Sequence, residues 1–136
     1  MSMTLNERNP NISTIHIGTQ LSSAAIVFPG IYFRKHSRIK AVHFIDTTGI
    51  VASSSNYLNL ALQDNAATPV AYAAGNTKVG IAALTQLAVA LSNPVGDTAN
   101  NPEADVPAGT MLNLKLDGFG TALPTNGKVQ VEWYPL

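Results

Sequence analysis

Three histidines, eight acidic and eight basic side chains, and no cysteine are all that this 136-residue chain offers to acid–base, nucleophilic or metal chemistry. His16, His36 and His43 stand apart, and only His43 has a carboxylate close by, Asp46, three residues on. A jelly-roll metalloenzyme of the cupin kind needs two histidines one residue apart on a strand, with a glutamate shortly after, and that spacing does not occur. There is no Gly-x-Ser-x-Gly elbow and no phosphate-cradling glycine loop; Gly118-Phe119-Gly120 reads as a turn. Without cysteine there is no thiolate nucleophile, Cys-ligated zinc or disulfide, which fits an intracellular folding site. These residues point away from an enzyme and imply no metal and no cofactor.

Charge concentrates in two places. Arg34, Lys35, Arg38 and Lys40 hold four of the eight basic side chains, and Asp97, Glu103 and Asp105 hold three of the eight acids in a stretch that also carries Asn100 and Asn101. The plain reading of both is a solvated turn. The functional reading is that the basic segment docks on an acidic partner surface, or on the acidic loop of a neighbouring copy. Such contacts set register more than affinity, because an exposed ion pair contributes only about 0–1 kcal/mol. The acidic stretch is rich in oxygen ligands but lacks the ordered spacing of a calcium loop.

Charged residues make up 12% of the chain and cancel to a net charge of zero. Sequence-independent binding to nucleic acid needs an excess of Lys and Arg to displace counterions, so no nucleic-acid partner is expected. A surface of Asn, Thr, Ser and Ala tolerates close contact with other subunits, since few charges need desolvating. No basic segment followed by an apolar run opens the chain, and its longest uncharged stretches are broken by polar residues, Gly and Pro. Neither a signal peptide nor a membrane partner is expected.

The elements that must position these residues read as strands. Leu58-Asn59-Leu60-Ala61-Leu62-Gln63-Asp64 and Leu112-Asn113-Leu114-Lys115-Leu116-Asp117 alternate leucine with polar or small residues. Side chains on a strand point to opposite faces in turn, so each phrase puts three leucines on one face and leaves the other wet. Further strands are expected over 14–21, 24–28, 31–33, 38–46, 69–73 and 129–134. In 38–46, Ile39, Ala41, His43 and Ile45 fall on one phase and Val42 and Phe44 on the other. Turns are expected at Pro29-Gly30, Gly75-Asn76 and Asn126-Gly127, and long loops over 47–56 and 94–109. Residues 81–92 fit a helix through Leu84, Leu87 and Leu91 and a strand through Leu87, Val89 and Leu91; the strand is favoured over 87–92. The expectation is an all-β chain, a jelly-roll-like antiparallel β-sandwich of about eight strands over 14–136, preceded by a flexible extended arm over 1–13.

With its polar arm, the Val106-Pro107-Ala108-Gly109-Thr110 turn feeding Met111 to Gly118, and the closing Val129-Gln130-Val131-Glu132-Trp133-Tyr134 strand, the chain resembles the small jelly-roll cement, or decoration, proteins of tailed-bacteriophage capsids. The resemblance implies a non-enzymatic virion protein made in the host bacterial cytoplasm. Its partners would be the major capsid protein, whose shell it binds from outside, and itself, as a homodimer in preference to a homotrimer. It would bridge capsomers and stabilise the mature head. The alternative from another class is a carbohydrate- or receptor-binding β-sandwich, such as a phage adhesin, in which Tyr57, Tyr72 and Tyr134 on the polar phase of their strands present rings to sugars.

Overall fold

The two leucine phrases find each other. In the computed structural model, which describes residues 10–20, 25–92, 94–95, 103–120 and 125–136, they lie on strands β4 (Tyr57–Asp64) and β10 (Thr110–Phe119). These pair antiparallel with Leu60 opposite Leu116 and Leu62 opposite Leu114. All six leucines are buried, and Asn59 and Asn113 face the other way.

The other strands are β1 (Asn11–Gln20), β2 (Ile26–Phe33), β3 (Ser37–Asp46), β5 (Ala71–Asn76), β6 (Gln86–Ala88), β7 (Ala90–Leu91), β8 (Pro94–Val95), β9 (Glu103–Val106) and β11 (Thr125–Pro135). One sheet runs β1-β11-β3-β9-β8, with β6 also on β3; the other runs β2-β10-β4-β5-β7. The pairing is nested: β1 with β11, β2 with β10, β3 with β9, β4 with β5. An antiparallel ribbon wound so that its first strand meets its last is a jelly roll. The expected all-β sandwich is therefore present, its eight principal strands supplemented by the short β6, β7 and β8. Between the sheets, the leucines meet Ile15, Ile39, Phe44, Val106, Val129 and Val131 in one core.

Several local expectations give way to sheet pairing. The first strand starts at Asn11 instead of Thr14, because Ile12 and Ser13 already pair with Glu132 and Val131; the rest of the expected arm, residues 1–9, lies outside the described residues. Pro29-Gly30 is not a turn. β2 continues through it as an edge strand, where a proline lacking N–H breaks no ladder on the open side. The register skips there, between Leu112 and Leu114 of β10, which is a bulge, and a Cβ on Gly30 would collide with the Leu112 carbonyl oxygen.

In β3 the phase of burial changes at Lys40. Glu132 pairs with Ala41 and Trp133 with Ile39, so Lys40 is an extra residue on its strand. Ile39 therefore shares the inner face with Val42 and Phe44, not with Ala41, His43 and Ile45 as strict alternation required. Gly75-Asn76 closes β5, opposite Leu60 and Asn59, and the turn comes later, at Lys78 and Val79.

Residues 81–92 contain no helix. Leu84 sits in a turn at φ 60°, a left-handed conformation that no right-handed helix accepts. The favoured strand is split at Val89, whose N–H donates to the Val42 carbonyl at 2.9 Å, as the chain crosses from β6 in one sheet to β7 in the other. The expected loop over 94–109 contains β8 and β9, because Ala104 and Val106 fill the core beside Ile39. Asn126-Gly127 lies inside β11 and not in a hairpin turn, paired with Thr19 and Gly18 on one side and with Asp46 on the other. The wholly buried Asp46 carboxylate fixes this point, accepting from Asn126 N at 3.0 Å, Thr48 N at 3.1 Å and Gly49 N at 2.8 Å.

The face assignment has a direct thermodynamic consequence. We predict that Leu114→Ala lowers unfolding stability by about 2–5 kcal/mol in urea denaturation. Asn59→Ala, on the opposite face, changes it by less than about 0.5 kcal/mol. Equal losses from the two would contradict the assignment.

Candidate interaction surface

The two charge clusters singled out in the sequence meet within one chain. β3 and β9 pair with Arg38 opposite Asp105, and β11 places Tyr134 opposite Arg38 on its other side. Cross-strand partners share a face of the sheet, so Tyr134, Arg38 and Asp105 form a row. The Arg38 Nε lies 3.6 Å from Asp105 Oδ1, and its Nη1 lies 4.0 Å from Glu103 Oε2. His36 Nε2 lies 2.6 Å from the same Asp105 oxygen, with both side chains largely exposed.

Glu103 is only 4% exposed and takes the Tyr134 hydroxyl proton as a hydrogen bond on Oε2. Its Oε1 and the Arg38 Nε have no hydrogen-bond partner among the described residues. Burial, then the bond to Glu103 and its negative charge, push the Tyr134 hydroxyl above the ordinary tyrosine value, with Arg38 opposing. Three of the seven residues singled out, Arg38, Glu103 and Asp105, are thus brought together as ion pairs within one chain, with Glu103 Oε1 and Arg38 Nε left without a hydrogen bond among the described residues. Strand pairing that brings a buried glutamate beside an arginine sixty-five positions earlier leaves no local sequence signal.

The remaining cations divide. Lys40 is half-buried at the β3 bulge and lines a shallow hollow with Ala41, His43 and Glu132. Arg34 and Lys35 are exposed on the bend between β2 and β3 and have no acidic partner among the described residues. They border an open groove of about 280 Å³ whose other walls are Tyr32, Ser37, Trp133 and Pro135. Asp97 lies outside the described residues.

The tyrosines do not make a shared platform. Tyr134 is buried in the charged row, a correction to its expected place on an exposed polar face, because Glu103 and Arg38 close over it. Tyr72 is half-buried against the core. Tyr57 stacks on Phe119 with centroids 5.0 Å apart and carries the Lys78 ammonium 4.5 Å from its centroid, so its ring is already engaged.

The sheet edges are unequal. β1, ten residues long, and β2, eight residues long, end the two sheets on the same side of the sandwich, whereas the opposite edges are the two-residue β8 and β7. Among the described residues, no strand pairs with the open sides of β1 and β2. Ile12 on β1 and Val27 and Tyr32 on β2 are 60%, 54% and 58% exposed, which was not anticipated from the sequence; Val51, Val79 and Leu84, outside the strands, are more exposed still. Among the described residues, no three His, Asp or Glu side chains converge as metal ligands, and no helix is long and apolar enough to cross a membrane. No protein-family model matches the chain, and no curated protein matches its sequence.

The charged row predicts an alkaline signature. A hydroxyl whose value is raised in the folded state stabilises the fold fully below the unfolded value of 10.0, and that contribution is lost as pH climbs through the folded value. Tyr134→Phe should cost about 1–2 kcal/mol at pH 8, because Glu103 loses its donor. It should also flatten part of the fall in melting temperature above pH 10, to which Tyr72, likewise raised by burial, contributes as well. An unchanged alkaline profile in the variant would contradict this role.

Proposed function

We propose that the chain is a structural virion protein: a capsid cement, or decoration, protein. It binds the outside of the major capsid shell of a tailed bacteriophage, bridges capsomers and stabilises the mature head. The observation that carries this reading is the pair of long open edges, β1 and β2, on one side of a jelly roll, studded with exposed Ile12, Val27 and Tyr32. Bulges interrupt both edges, at His16–Gly18 of β1 and at Pro29-Gly30 of β2, but on either side of them the unpaired N–H and C=O groups remain a template for another chain. A protein that must hold two neighbours together uses that template.

The function needs no catalytic group. A protein that binds the assembled lattice and not its dissociated parts stabilises the lattice by mass action, by about 2.7 kcal/mol per site at a hundredfold excess over Kd. The low charge of the chain supports the same reading, since few ions need desolvating when faces come together. Closed homo-oligomers are most often two-fold dimers, so a homodimer is favoured over a trimer, with the copies meeting on a face other than the open edges, which are kept for the shell. The chain is made in the bacterial cytoplasm and acts on the capsid exterior.

Light scattering on the purified protein, followed by sedimentation with expanded heads that lack it, tests the proposal. The expected result is a dimer that binds heads to a saturable stoichiometry. An Ile12→Lys, Val27→Lys double variant that melts like the parent should bind at least about tenfold more weakly. A monomer that leaves the heads bare, or a lysine variant that binds as the parent does, would overturn it.

A further inference from the structure

The basic segment is split by the fold into used and unused halves. His36 and Arg38 lie against Asp105 and Glu103, whereas Arg34 and Lys35, which border the groove lined by Tyr32 and Trp133, have no acidic partner among the described residues. Trp133 is held in place: its ring meets Phe33 edge to face at 5.0 Å and 77°, and its Nε1 donates to Ser13 Oγ at 2.9 Å. Tyr32, which also lines the groove, is 58% exposed. The result is one fixed aromatic ring, one exposed aromatic ring and two cations without an acidic partner among the described residues.

We infer that this groove docks an acidic polypeptide segment, which inserts one apolar side chain between Tyr32 and Trp133 and sets its carboxylates against Arg34 and Lys35. The lining decides between ligand classes. No amide or carboxylate side chain lines the groove, so few groups are left to orient a sugar beside its aromatic rings. Ser37 is 1% exposed and already donates to the Lys35 carbonyl at 2.8 Å, which leaves the Tyr32 hydroxyl and the two cations. The groove, about 280 Å³, has room for one inserted apolar side chain. Two cations on a chain of zero net charge are too few to track a nucleic-acid backbone. Tyr32 also belongs to the open edge of β2, so a segment laid along that edge leads into the groove. Assigning the segment to the shell protein rests on the function proposed above; the chemistry of the groove does not.

Trp133 is the only tryptophan in the chain, so its fluorescence reports on this groove alone. The probe is a glutamate-rich octapeptide with one central phenylalanine, titrated into the full chain at low salt beside its glutamine counterpart and sialyllactose. The expected result is a saturable shift of Trp133 emission by the glutamate peptide. Binding should weaken about tenfold in high salt and by a similar factor in an Arg34→Glu, Lys35→Glu variant that melts like the parent. An equal response to the glutamine peptide, or indifference to the charge reversal, would overturn the inference. So would saturation by sialyllactose in place of the peptide, or a Trp133 shift on deleting residues 2–9, which would mean that this chain's own amino-terminal segment fills the groove. Head sedimentation of the same variant separates the two proposals. If the parent does not bind heads, the cement reading fails while the peptide titration still stands or falls alone.

Discussion

Everything in this molecule depends on the register between β4 and β10. Leu60 opposite Leu116 and Leu62 opposite Leu114 put six leucines on one face of the five-stranded sheet, and a slip of one residue would turn all three leucines of one strand to solvent. At roughly 1.5–3 kcal/mol for each buried leucine, that slip costs about 4.5–9 kcal/mol, comparable to the whole net stability of a typical small domain, about 5–15 kcal/mol. Once this pair is fixed, β2 and β5 have templates on either side, and the apolar floor they complete is what the second sheet packs on. The phrases are far apart in sequence, so the central contact is non-local, as are the β1–β11 and β2–β10 pairs nested around it. A fold of this kind closes slowly, because loop entropy is lost before contacts repay it.

The same nesting determines which charges are free. β9 returns beside the start of β3, so Arg38 and His36 meet acids supplied by the second half of the chain, and Tyr134 arrives from β11 on the other flank. One end of the six-stranded sheet is thereby tied by charge and hydrogen bonds. Arg34 and Lys35 precede the paired residues and are left outside the tie. Because β1 and β2 come first in the winding, they are also the strands left at the rim. The free cations, the aromatic groove and the open edges thus lie close together as consequences of one topology.

What could be read from the sequence was what depends on local alternation. The period of two in Leu58–Leu62 and Leu112–Leu116 reported correct inner faces, because the ladder between β4 and β10 is regular. It failed in β3, where a single extra residue at Lys40 exchanges the faces; nothing about a lysine in a strand announces a bulge. Pro29-Gly30 and Asn126-Gly127 carry turn chemistry, yet both lie within strands. An edge position excuses the proline, and close backbone approach at Leu112 and Ile45 demands the glycines. The charged residues were visible as two clusters, whereas their mutual pairing was not, since it is made by strand order. Exposed Ile12, Val27 and Tyr32 were indistinguishable in sequence from core residues, and only the edge position of their strands sets them apart.

The proposed role requires that the leucine-centred sandwich offer its two open strand edges to a partner. Amide hydrogen exchange, compared between the free protein and the protein bound to expanded heads, is the test. The prediction is slow exchange across β4 and β10 in both states, with amides of β1 and β2 that exchange rapidly in the free protein and become protected on the heads. Protection confined to other strands on binding, or β1 and β2 amides as slow in the free protein as those of β4, would contradict that role.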